Sequence, residues 1–231
     1  MAVERLKRKF AVEVQTAEVT VPYRETVSTT ATAEGRYKKQ TGGHGQFGVC
    51  TLVVEPLERG AGFEFVDAVV GGAIPRNLVP AVERGVVEAM AQGGPNGHPV
   101  VDVRVRVTDG RYHPVDSSEM SFRLAGALAL REALALAGPV VLEPVSKVDV
   151  ILPPELQGEV LGDLSARRGR VVHTDLNDAG DAVVTAMVPT GEMARYAVDL
   201  RSMTAGRGSF VAAYDHDDVL PGHLLSKRPA S

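Results

Sequence analysis

Three groups of residues have types and spacings that suit chemistry. The first is Thr41-Gly-Gly-His-Gly-Gln-Phe-Gly48, preceded by Lys38 and Lys39. Its glycines let backbone N–H groups approach an anion closely, and the two ammonium groups add charge beside them. The string lacks the Lys-Ser/Thr of a phosphate-binding P-loop and leads into a β-branched run rather than a helix, which argues against nucleotide binding. A flexible hairpin tip explains the glycines alone, whereas a loop that touches RNA phosphates explains the lysines as well; both readings stay open. The second group is His113, Asp116 and Ser117. These are the residue types of a nucleophilic triad, but they are sequence neighbours rather than residues on opposed elements. Asp116 and Glu119 also have capping-box spacing, so catalysis is disfavoured. The third is charged: Arg167-Arg168 before Gly169 suits either RNA or the carbonyl end of a helix, and Asp215-His-Asp-Asp218 suits a solvated acidic turn better than a metal site, because consecutive residues point in alternating directions.

The chain that carries them has 231 residues, 44% hydrophobic and 23% charged, enough for one to two folded domains and too apolar for a disordered chain. Cys50 is the only cysteine, which excludes an intramolecular disulfide and a cysteine zinc cage and fits a reducing compartment. The longest stretch without Lys, Arg, Asp or Glu, Gln40 to Val54, is broken by four glycines and is too short to span a bilayer. The charged amino terminus is not a secretory leader, so the cytoplasm is the expected location. A net charge of −4 argues against non-specific coating of nucleic acid. The positive balance is local: residues 1–40 carry 8 basic and 5 acidic side chains.

Hydrophobic periodicity places the candidate groups on elements. Val3, Leu6 and Phe10 share a short helical face and residues 11–14 alternate as a strand, so residues 1–24 are expected to be the remnant of a preceding domain, without their packing partners. A basic strand, residues 35–40, runs through the glycine-rich tip into a strand at 49–57, and a further strand follows at 63–68. Pro80 opens a helix that Gly93-Gly94 ends. Alternation predicts a strand over 101–107, then a turn, then a helix capped by Asp116 that runs to Ala137 with a Glu119–Arg123 pair on its wet side. After Glu143-Pro144 the pattern restarts as strand 147–152, helix 153–169, strands 170–174 and 182–188, helix 191–203 and strand 209–214. This βαββαβ order defines a ferredoxin-like sandwich. The expected division is therefore 1–24, 25–144, 145–217 and a frayed tail at 218–231, with hinge motion near residue 144.

Six spaced strings carry a family resemblance: Gln40-Thr-Gly-Gly-His-Gly-Gln46, Gly71-Gly-Ala-Ile-Pro75, Val115-Asp-Ser-Ser-Glu-Met120, Leu142-Glu-Pro144, Gly162-Asp-Leu-Ser-Ala-Arg-Arg-Gly169, and Asp199-Leu-Arg-Ser202 with Gly206-Arg-Gly-Ser-Phe210. In this order they resemble the carboxy-terminal part of bacterial elongation factor G: the end of its third domain, then its fourth and fifth. The resemblance implies an α+β chain with a ribosomal-protein-S-five-domain-two-like fold over 25–144, including a left-handed βαβ crossover, followed by the ferredoxin-like sandwich.

It further implies a ribosome-binding portion of a translational GTPase acting in tRNA–mRNA translocation or ribosome recycling, as a monomer in the cytoplasm and without a membrane. The implied partners are the small-subunit decoding centre, tRNA and mRNA, and the large-subunit stalk base and sarcin-ricin loop. By the same resemblance the RNA-contacting tip comprises Lys38, Lys39, Thr41, Gly42, Gly43, His44, Gly45, Gln46, His113 and Asp116, with a weaker set of Arg167, Arg168 and Arg207. His44 stands where the elongating factors usually have arginine, which fits the elongation-factor-G-like paralogues. No Gly-x-x-x-x-Gly-Lys-Ser/Thr occurs, so this chain is expected to be no enzyme and to need no cofactor, with GTP and magnesium confined to full-length members. Two other classes compete: a free-standing RNA- or protein-binding module, and a small-molecule kinase. The Pro-x-x-x-Gly-Leu-Gly-Ser-Ser loop such a kinase requires is absent.

Overall fold

The computed structural model describes Arg8 and residues 20–40 and 45–225. The helix and strand expected over 1–14, the tip residues Thr41, Gly42, Gly43 and His44, and the end of the tail lie outside the described residues.

The first layer is a four-stranded sheet of β2 (Ala31–Lys39), β3 (Gln46–Pro56), β4 (Phe63–Asp67) and β5 (Val103–Arg111), in the order β2-β3-β5-β4. β4 and β5 run parallel and are joined through α1 (Val79–Gln92), while the other pairs are antiparallel. Val103, Val105 and Val107 of β5 and Cys50, Leu52 and Val54 of β3 send their side chains into one core with α1 and α2 (Glu119–Leu136). Fully burying Phe122, Leu130 and Leu134 on α2 is worth ~1.5–3 kcal/mol each, against tenths for propensity differences, so burial fixes this helix. The two helices approach so closely that a Cβ on Gly85 would lie 1.9 Å from the Arg123 carbonyl oxygen.

β5 begins two residues later than its alternation predicts. Asp102 adopts φ 57, and its buried carboxylate accepts the N–H groups of Gly60 and Gly62 at 3.1 and 2.8 Å. The residue is spent on pinning the β3–β4 loop, which interrupts the strand. The cap of α2 is also shifted. Ser118, not Asp116, is the N-cap, in a reciprocal box with Ser121. Glu119 pairs with Arg84 and Arg123 with Glu88, both on α1, in place of the expected Glu119–Arg123 pair.

The second layer is a five-stranded sheet. β6 (Pro139–Leu152) pairs with β1 (Arg24–Val27) along its first four residues, then with β8 (Ala182–Pro189), and along its length with β9 (Ser209–Val219); β7 (Arg170–Leu176) pairs with β8. From β6 onward the order is βαββαβ, with α3 (Gln157–Ala166) and α4 (Tyr196–Met203) as the helices and α5 (Gly222–Leu225) following. A second core gathers Val148, Val150, Leu152, Val160, Leu164, Val184 and Tyr196. The junction expected near Glu143-Pro144 falls inside β6, so a strand and not a linker joins the two cores. Residues 215–218, expected as an acidic turn, are part of β9; 216–218 pair with β6 and Asp215 stands at a bulge.

Candidate nucleic-acid interface

β2 and β3 form an antiparallel hairpin in which Lys39 faces Gln46, Lys38 faces Phe47 and Tyr37 faces Gly48. The Tyr37 hydroxyl donates to Gln46 Oε1 at 3.0 Å, which orders the last pairs before the tip, and Lys38 and Lys39 are exposed there. The second loop, residues 112–118, leaves β5 and enters α2.

These two loops are bonded into one surface. Phe47 N–H donates to the Asp116 carbonyl at 2.9 Å, and the Phe47 carbonyl accepts the hydroxyls of Ser117 and Ser121 at 2.7 and 2.8 Å. Asp116 Oδ1 accepts Gly45 N–H at 3.0 Å. A Cβ on Gly48 would lie 2.9 Å from the Ser121 backbone, so glycine is what lets the hairpin reach the start of α2.

His113 is built into the second loop through its backbone and one ring nitrogen. Its N–H donates to Ser117 Oγ at 2.8 Å, and Nδ1 accepts the N–H groups of Val115 and Asp116 at 3.3 and 3.2 Å. Those bonds need a lone pair on Nδ1, so the neutral ring carries its proton on Nε2. Asp116 Oδ2 also lies 3.4 Å from Nδ1. The His113 side chain is 53% exposed, so Nε2–H is a donor for a partner outside the chain. Tyr112 and Val115 flank it as exposed apolar groups. Ser117 donates to a backbone carbonyl and has no histidine acceptor, so these residues do not form a triad.

The arginines of the second layer are differently placed. Arg167 binds Asp163 through Nε at 2.8 Å and Asp199 through NH2 at 2.7 Å, donates to the Glu192 carbonyl at 2.9 Å, and lies over the Tyr196 ring at 5.1 Å. Arg168, at φ 60, makes a bidentate pair with Glu143 at 2.7 and 2.8 Å and reaches Glu192 at 3.1 Å. The hydrogen bonds they donate to Asp163 and to Glu143 raise the pKa of these two guanidinium groups above the usual arginine value. Arg207 pairs with Glu155 at 2.8 Å on a separate turn, so the structure brings Arg167 and Arg168 together around Glu192 but not Arg207.

Known proteins bear directly on these two layers. A family model described as elongation factor G, domain IV, matches residues 19–138, and one described as the elongation factor G C-terminus matches residues 140–228. The chain belongs to the elongation factor G family. It is 47% identical over 225 residues to elongation factor G of Aquifex pyrophilus, covering 97% of this chain and 32% of that protein. It is 48% identical over 221 residues to an elongation factor G-like protein of Mycobacterium tuberculosis H37Rv, covering 96% and 31%. A crystal structure of a Thermus thermophilus protein superposes with a TM-score of 0.87 at 40% identity, covering 98% of this chain and 34% of that one. The chain thus spans about a third of the length of these relatives.

Within this elongation factor G domain IV, sequence reasoning named Gly45, Gln46, His113, Asp116 and Ser117 on the two sides of the loop junction but missed the bonds that join them. Ser117, Ser121 and the Phe47 backbone lie in or beside the quoted strings, and the serine three positions after Ser118 was the available signal. Among the described residues no group of three or more His, Cys, Asp or Glu is placed to hold a metal ion, and no helix is long and apolar enough to cross a membrane.

Proposed function

We propose that this chain is the ribosome-facing portion of a translational GTPase of the elongation factor G family, and that its bonded tip enters the small-subunit decoding centre to contact tRNA and mRNA during translocation or recycling. The observation that carries this reading is the cross-bonding of residues 45–47 to residues 116–121, which holds two loops as one surface. Lys38, Lys39 and the Nε2–H of His113 are the donors that this surface offers to phosphates and ribose hydroxyls. We assign the first layer to the ribosomal-protein-S-five-like folds and the second to the ferredoxin-like folds, the latter facing the large-subunit stalk base and sarcin-ricin loop. GTP and magnesium belong to the remainder of the full-length factor, which works as a cytoplasmic monomer.

The test uses the full-length parent protein. His113→Ala with Lys38→Ala and Lys39→Ala should slow tRNA translocation or subunit splitting while GTP binding and the unfolding midpoint hold. Unchanged rates in both assays would remove the tip from the mechanism. Pelleting with separated subunits distinguishes the ribosomal reading from a free-standing binding module, which would sediment with neither.

A further inference from the structure

Asn96 precedes Gly97 in the loop between α1 and β5. An Asn-Gly pair is chemically exposed, because glycine leaves its backbone nitrogen unhindered to attack the preceding side-chain amide. In this fold both reacting groups are already engaged. Gly97 N–H donates to the Gly94 carbonyl at 2.9 Å. Asn96 Nδ2 and Asn96 N–H both donate to Glu25 Oε2 at 3.1 Å, and Glu25 Oε1 accepts His98 N–H at 2.8 Å. Glu25 lies on β1 and is 1% exposed, so its carboxylate is seated inside the loop that it organises.

We propose that Asn96 is a site of spontaneous deamidation held in check by Glu25, and that conversion of Asn96 unlatches residues 93–98 from β1. The Gly97 nitrogen loses its proton to a solvent base and bonds to Asn96 Cγ; Nδ2 takes a proton from the conjugate acid of that base, the Cγ–Nδ2 bond breaks and ammonia leaves. Water then opens the cyclic imide at either carbonyl, giving aspartate or isoaspartate, with no oxidant or reductant involved. Glu25 opposes this twice. Attack places negative charge on Oδ1 beside an existing carboxylate, and the product sets a second carboxylate against Glu25, where two like charges cannot both stay ionised cheaply. The reaction therefore proceeds through local opening of the loop.

The experiment incubates the chain at mildly alkaline pH and follows, by mass spectrometry of the Asn96 peptide, the replacement of amide by acid. The folded chain should convert at least ~10-fold more slowly than the chain held in urea, the protection expected from an opening equilibrium. Glu25→Gln should speed conversion in the folded state. Separately, Asn96→Asp installs the product and should lower the unfolding midpoint, with most of the loss recovered in the Asn96→Asp, Glu25→Gln double variant. Conversion of the folded chain at the unfolded rate, or an Asn96→Asp midpoint equal to that of the original, overturns the proposal. If Glu25→Gln fails to fold, the comparison with urea and the Asn96→Asp midpoint decide it.

Discussion

Replacing Arg168 by methionine separates a structural role from an RNA-binding one. The substitution keeps an aliphatic stem but removes the guanidinium that binds both oxygens of Glu143, a residue on β6 whose side chain is 8% exposed, against 30% for Arg168. Removing one partner of a fully buried pair costs ~3–5 kcal/mol, because the other charge is left behind uncompensated. Here water reaches the vacated side, so we expect ~2–3 kcal/mol, which in a chain of this size lowers the unfolding midpoint by ~4–12 °C. Glu143→Gln should cost less than Arg168→Met, and the double variant should fall short of the sum of the singles by ~1 kcal/mol or more. Urea unfolding followed by circular dichroism measures all three. A midpoint unchanged by Arg168→Met, accompanied by lost ribosome pelleting, would refute the structural role and leave RNA contact as the role of Arg168.

Two further outcomes follow from the cores. Burial pushes the Cys50 thiol up to about 12 and the Tyr196 phenol up to about 12. Above the unfolded cysteine value the unfolded state releases a proton that the folded state keeps, so stability falls as pH rises from ~9 toward 12, at up to ~1.4 kcal/mol per pH unit per group. Urea midpoints across that window should show the decline, shallower in Cys50→Ala, and a flat profile would contradict it. Gly48→Ala should cost ~1–3 kcal/mol, since its Cβ meets the Ser121 backbone and not a flexible side chain. Thermal unfolding of that variant tests whether the close approach at the loop junction is required.

Much of the architecture was legible because local and global preferences agree. The valine alternation from 103 to 107, the opening of α1 beside Pro80 and its end at Gly93, and the βαββαβ order from β6 onward were all readable from period and punctuation. The misreadings share one physical cause: a residue diverted by a partner distant in sequence. Asp102 leaves its strand to hold Gly60 and Gly62, and Asp116 gives up the helix cap to hold Gly45, 71 positions away. Glu143-Pro144 reads as a break because proline cannot donate to a ladder. It is accommodated inside β6 because β1 pairs only as far as Leu142 and β8 begins at Val145, so proline stands where one flank of the strand is unpaired. The arginines were ambiguous for a related reason: Arg167-Arg168 shows two charges, while the carboxylates that receive them lie on β6, α3, α4 and the turn before α4.

The unbroken course of β6 bears on how such a protein can be recombined. Side chains of a strand alternate between faces, so a single residue gained or lost near position 144 would exchange the core-facing Val148, Val150 and Leu152 for Lys147, Asp149 and Ile151 against α3 and α4. No loop is present there to absorb the error. The preceding turn gives no slack either: Gly138, at φ 63 between α2 and β6, accepts the N–H and the hydroxyl of Ser28 on its carbonyl at 3.0 and 2.9 Å. Exchange of the two halves among homologous genes must therefore conserve the length of this strand to the residue.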